Sequence, residues 1–164
     1  MRVVCDTGPL LSATDRRDPA HGLAASLVTA LGRDLLVPDP VIGEVDHLMR
    51  ARLGSDVARL FLQSLAAQEV TPAFLTPELL RRAVEIDDRY ADLDLGFADS
   101  SVMAFAERHD LPILTFDFKD FRAARPKEGA WSLVVDEARY REAVTGPRPG
   151  RRGQRRRRAG PAKD

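Results

Sequence analysis

The chain has 164 residues, 44% of them hydrophobic and 30% charged, and its 25 Lys/Arg balance its 25 Asp/Glu. That size suits one globular domain with a real core. Apolar runs of only a few residues exclude a transmembrane helix of about 20, and a single cysteine excludes an internal disulfide framework.

The first residues, Met1-Arg2-Val3-Val4-Cys5-Asp6, reach an acid at once, which argues against a secretory leader. His21, His47 and His109 lack zinc-site spacing. A reducing cytoplasm is the expected compartment, with no membrane partner. The neutral total hides an asymmetry. Residues 148–164 carry eight Lys/Arg and one Asp, a net +7, which leaves the preceding 147 residues at −7. Rich in Arg, Gly and Pro, residues 147–164 are expected to form a disordered tail behind a single domain at 1–146. Such a tail either grips nucleic acid loosely or is merely solvated.

Along the chain, apolar runs predict short strands at residues 3–5, 35–37, 69–71, 112–115 and 131–135. Helical periodicity lies between them, at 23–31, 41–53, 55–67, 77–90 and 97–109. Pro9 suits the first position of a helix. Ser55 is expected to cap one helix, and Thr76 with Pro77 to open another. Gly32 and Gly54 mark helix ends. The alternation predicts an α/β domain, a parallel sheet covered on both faces. In such sheets a site forms at the carboxyl ends of the strands.

That rule makes the acids informative. Asp6 follows the first strand directly, and Asp117 follows the fourth by two residues, so both are expected at one sheet edge. Glu44 lies on the shoulder of an apolar helix face, between Val41 and Leu48. Asp99 falls in the first turn of its helix, beside Val102 and Met103. Four inward carboxylates with no inward Lys or Arg in these segments are costly unless a cation joins them. Histidine-free oxygen donors favour magnesium or manganese. Taken singly, Asp6 also reads as a helix cap, Asp99 as a helix N-terminal charge, Glu44 as a partly exposed helix residue and Asp117 as a turn residue.

Together, these segments resemble the PIN-domain ribonucleases, most closely the toxins of VapBC toxin–antitoxin systems. The matching stretches are Val4-Cys5-Asp6-Thr7-Gly8-Pro9, Pro40-Val41-Ile42-Gly43-Glu44-Val45, Leu95-Gly96-Phe97-Ala98-Asp99-Ser100-Ser101 and Leu114-Thr115-Phe116-Asp117. The resemblance spans roughly residues 1–140. It implies a PIN-like three-layer α/β/α fold with a central parallel sheet of four to five strands.

By the same resemblance Asp6, Glu44, Asp99 and Asp117 are the catalytic acids, with Asp6, Asp99 and Asp117 as metal ligands. Thr7, Thr115 and Asp120 are auxiliary candidates, while Asp94, where relatives often show proline, is read as solvated. The implied activity is Mg²⁺- or Mn²⁺-dependent endonucleolytic cleavage of transfer or ribosomal RNA. A homodimer and a cognate VapB-like antitoxin are the implied partners. An antitoxin arginine would close the acidic site, and its apolar residues would lie on residues 41–53 and 57–65.

Two competing classes make other demands. Asp6-Thr7-Gly8 also matches the aspartic-protease triplet, but that chemistry needs two aspartates sharing a proton in a β-rich fold. A non-catalytic RNA-binding scaffold would be expected to have lost site acids, and all four are present.

Overall fold

A computed structural model describes residues 1–146. The expected Arg-rich tail at 147–164 lies outside the described residues. Four parallel strands form one sheet: β1 (Val3–Cys5), β2 (Leu35–Pro38), β3 (Thr71–Ala73) and β4 (Ile113–Leu114), in the order β3-β2-β1-β4. β1 is therefore internal, and Val3, Val4 and Cys5 have no exposed surface on either face. An unbroken apolar run is what a parallel strand covered on both sides requires. The register pairs Val4 with Leu36 on one side and with Ile113 on the other.

The helices in chain order are α1 (Thr7–Thr14), α2 (His21–Leu31), α3 (Asp39–Leu53), α4 (Ser55–Ala66), α5 (Pro77–Arg89), α6 (Gly96–His109), α7 (Phe118–Ala123) and α8 (Glu137–Thr145). α3 and α6 lie against the strands and against each other. α1 joins α2 and α3, α4 lies on α3, and α5 covers α6. The middle of α6, from Ser100 to Ala106, is buried all round, as befits a helix with neighbours on every side. The observed architecture is the expected α/β one, helices flanking a central parallel sheet. Among the described residues, no helix is long and apolar enough to cross a membrane.

Several local expectations shift. The segment at 131–135 makes a single parallel bridge, Leu133 to Ile113, so the sheet has four strands. β4 offers only two residues before the chain turns into the site, which leaves little ladder for a fifth strand. The strand expected at 69–71 starts at Thr71, because the end of α4 winds on through Gln68 at φ 55°. There the Glu69 amide donates to the Ser64 carbonyl, the 6→1 bond of a Schellman-type ending. Pro72 is tolerated in β3 because β3 is an edge strand.

Helix starts differ too. Pro9 is the third residue of α1 rather than the first, still within the turn where amides have no helical partner. Gly54, at φ 99°, holds the cap position before α4, and Ser55 is the first helical residue. Thr76 caps α5 as expected, its hydroxyl accepting from the Leu79 amide.

Candidate active site at the carboxyl edge of the sheet

Parallel strands end on one edge, and there β1 and β4 deliver their successors side by side. The Asp6 amide donates to the Leu114 carbonyl at 3.0 Å. The Asp6 side chain, 4% exposed, is held at both oxygens. Oδ1 accepts from the Thr7 amide at 2.6 Å, and Oδ2 accepts from Thr115 Oγ1 at 2.7 Å. Asp6 therefore does cap α1, and it does so while fixed at the bottom of a cleft.

Thr115, 1% exposed, has a second task. Its Oγ1 accepts from the Asp117 amide at 2.9 Å, which turns the chain after β4 so that Asp117 stands at the rim. Asp117 then caps α7, its Oδ1 accepting from the Asp120 amide at 2.9 Å. On the other flank, Thr7 Oγ1 donates to Glu44 Oε2 on α3. Both threonine hydroxyls are thus engaged with carboxylates or with the backbone that places one.

Asp99 enters from the first turn of α6 and faces the other acids. Its carboxyl is pushed up to about 8, first by burial, then by the charges of Asp6, Asp117, Glu44 and Asp120. Asp6 is pushed up to about 6, again first by burial. The hydrogen bonds from Thr115 and Thr7 pull it back, and the charges of Glu44 and Asp117 push it further up. Asp120 is also raised, by burial and then by Asp117. A shared field of like charge is the physical signature of this corner. All four predicted acids meet here, but not equally deep. Asp6 is buried and Asp99 partly so, while Glu44 and Asp117 are exposed at the edge. Asp94 is exposed, in a left-handed turn at φ 52°.

Among the described residues, no three Asp, Glu, His or Cys side chains form a ready-made metal cage. The three expected ligands, Asp6, Asp99 and Asp117, line one cleft without closing into such a cage. The donor chemistry nevertheless suits a hydrated hard cation. Magnesium keeps several waters and takes only one or two carboxylates, and two carboxylates held against their own repulsion gain from a cation between them.

The cleft itself, about 570 Å³, includes residues that the sequence did not single out. Lys119 from α7, Tyr140 and Arg141 from α8, and Phe116 line it together with the acids. The sequence signals for both helices were their caps. Asp117 stands three residues before Asp120, and Asp136 three before Arg139, whose amide donates to it at 2.7 Å.

Comparison with known proteins agrees with this geometry. The PIN domain family profile matches residues 3–126. Ribonuclease VapC26 of Mycobacterium tuberculosis is 29% identical over 134 residues, covering 81% of this chain and 99% of the relative. The crystal structure of Mycobacterium tuberculosis VapC20, described as a sarcin–ricin loop cleaving toxin, superimposes with a TM-score of 0.68 at 23% identity. That match covers 78% of this chain and 98% of the other. A toxin–antitoxin complex from Klebsiella pneumoniae gives a TM-score of 0.54 at 20% identity, over 73% of this chain and 89% of that one. With the profile spanning well over half of its length, the chain belongs to the PIN-domain family.

Proposed function

We propose that this protein is a VapC-type endoribonuclease, a divalent-metal-dependent hydrolase of RNA phosphodiester bonds that serves as the toxin of a type II toxin–antitoxin pair. The observation that carries the reading is the pairing of Asp6 and Asp99, two inward carboxylates raised by burial and by neighbouring like charges in one open cleft. Perturbed carboxylates in a cleft are the expected mark of a working site. The similarity to ribonuclease VapC26 over nearly the whole of that relative supports the same reaction class.

A bound magnesium or manganese ion supplies charge neutralisation on the phosphate and makes water a better nucleophile. Asp6, Asp99 and Asp117 are assigned to hold it, and Glu44 to orient water or a second ion. Thr115 and Thr7 keep Asp6 in a single orientation, so its carboxylate is presented without a reorganisation cost. The clamp on Asp6 also holds it ionised against the pull of burial.

A VapB-like antitoxin is the proposed partner, in keeping with the toxin–antitoxin complex among the similar structures. An apolar groove of about 290 Å³ between α1, α2 and α4 is the surface assigned to it, with Leu60 64% exposed on α4. Val41, Val45 and Met49 of α3 and Ala58, Phe61 and Leu65 of α4 face the core, so the contact expected on these two helices falls to their less buried apolar residues. Self-association is assigned to the apolar residues left exposed on α5 and at the start of α6, Leu80, Val84 and Phe97.

The test is cleavage of purified transfer and ribosomal RNA by the purified chain with magnesium, manganese or a chelator. Discrete fragments that require the metal and vanish in Asp99→Asn are expected. Intact RNA under every metal condition would overturn the nuclease reading in favour of a binding scaffold.

A further inference from the structure

The acids explain how a phosphodiester would be cut but not how RNA would be held. A cleft floored by Asp6 and Asp99 and edged by Asp117 repels phosphate on its own. The residues that α7 and α8 add to its lining include cations. Lys119 and Arg141 are the cations lining the cleft. Among the described residues Lys119 forms no salt bridge, so its ammonium is free for a ligand. Arg141 is braced by Glu137, with Nη2 to Oε1 at 2.5 Å and Nε to Oε1 at 3.1 Å. Glu137 also receives Arg122, so one carboxylate is shared by two guanidinium groups. Arg122 and Arg141 together outweigh Glu137 by one charge, and Lys119 adds a further cation beside Asp120.

The lining also includes an aromatic surface. The Phe116 and Tyr140 rings stand 4.8 Å apart at 38°, and both line the cleft. Buried Phe118 lies beneath Tyr140, with centroids 5.5 Å apart. Tyr140 is thus wedged in place with part of its ring still accessible. A metal-binding site has no need of such a surface. A nucleobase does, because every base presents a π-face for an aromatic ring to cover.

We propose that α7 and α8 form a strand-holding wall, in which Lys119 and Arg141 bind backbone phosphate and Phe116 with Tyr140 stacks an unpaired base. This rests on the reading of the cleft as a ribonuclease site, and it narrows the substrate class to single-stranded or looped RNA. A paired base has both faces occupied by its neighbours, so only an unstacked one can use the platform. The cleft volume of about 570 Å³ has room for a flipped base and its phosphate. Tyr140 and Arg141 lie beyond residue 126, where the family match stops. The wall is therefore a feature through which this chain can differ from relatives with the same acids.

The experiment is fluorescence anisotropy of a short labelled unpaired RNA of mixed sequence against the full chain. It is run in chelator, so that binding is read without cleavage and over a series of salt concentrations. Lys119→Gln with Arg141→Gln is expected to weaken binding about tenfold or more and to flatten the salt slope by about 1.4, the value for two lost contacts on a single strand. Lys119→Arg with Arg141→Lys restores both. Tyr140→Leu, which keeps apolar bulk, is expected to lose about tenfold, whereas Tyr140→Phe binds like the parent. The same sequence presented as a duplex should be indifferent to Tyr140.

Unchanged affinity and slope in the double Gln variant would overturn the proposal. So would equal binding by the Leu and Phe variants, or no RNA binding by the parent. Failure of the nuclease reading looks different: the parent binds RNA through this wall yet leaves it intact when magnesium is restored.

Discussion

Thr115 Oγ1 donates to Asp6 Oδ2 at 2.7 Å, joining residues 109 apart in sequence across the β1–β4 pair. The same oxygen accepts from the Asp117 amide, so one buried hydroxyl orients two of the four acids. Thr115→Val keeps the shape and removes both bonds. A buried carboxylate oxygen left without its donor costs about 1–3 kcal/mol, and Asp6, keeping only the Thr7 amide, should hold its proton to higher pH. The expected result is a lower melting temperature and an acid limb of the pH–rate profile moved upward. Thr115→Ser should restore both, and a pH–rate profile identical to the parent's in the Val variant would remove Thr115 from the site.

Asp6, Asp99, Asp120 and Asp94 should not be equivalent. Asp6→Asn and Asp99→Asn each remove a charge from the interior of the cleft, and RNA cleavage should fall by on the order of 10²–10³, the scale of losing one preorganised electrostatic group. Folding should survive, since each change relieves like-charge repulsion. Asp120→Asn should cost less, because its bond to Asp117 is donated by the backbone amide, which the variant keeps. Asp94→Asn should leave activity intact, its side chain being exposed and its left-handed turn one that asparagine tolerates. Initial rates on one RNA across the four variants check this order.

Much of this corner was legible in the sequence because it follows from topology. A buried strand ending in Asp6 and another ending near Asp117 must open on one edge once the sheet is parallel. The periodicity of α3 and α6 brings Glu44 and Asp99 toward it. Depth was not legible. Nothing in the pattern separates Asp6, which is buried, from Asp117, which is exposed, because the difference arises from the turn that Thr115 imposes. The wall from α7 and α8 escaped as well. α7 is six residues long with only Phe118 and Phe121 buried, and α8 buries no residue fully, so neither shows a long apolar stripe. Nothing in the local pattern marks Lys119 or Arg141 as residues that line the cleft.

The raised carboxyls make a prediction about the metal-free protein. Asp6 moves from 3.8 to about 6, and Asp99 from 3.8 to about 8. Between these limits the folded state binds more protons than the unfolded one, so stability falls as pH rises. The loss through Asp6 is complete above about pH 6, and that through Asp99 above about pH 8. Metal-free protein should therefore melt at a higher temperature at pH 5 than at pH 8. Magnesium should reverse this at pH 8, because a cation that binds only the folded state stabilises it by mass action, about 2.7 kcal/mol at a hundredfold excess over its dissociation constant. Scanning calorimetry at both pH values, with and without magnesium, checks it. A melting temperature at pH 8 indifferent to millimolar magnesium would count heavily against a cation at Asp6 and Asp99.

The last prediction concerns approach rather than chemistry. Residues 1–147 carry a net charge of −7, which opposes RNA at long range, whereas residues 148–164 carry +7. Lys119 and Arg141 act only once a strand has entered the cleft, within about a Debye length of 8 Å. The C-terminal arginines are suited to the earlier step, since they release counterions from phosphate without reading bases. Deleting residues 148–164 should weaken RNA binding and flatten its salt dependence while the cleavage position stays the same. The melting temperature and its response to magnesium should not change, because the acids all lie before residue 121. The two cation groups are separable by position: cleft variants should alter both affinity and the preference for unpaired RNA, the deletion affinity alone. Equal affinities and equal salt slopes with and without these residues would leave substrate capture to the cleft.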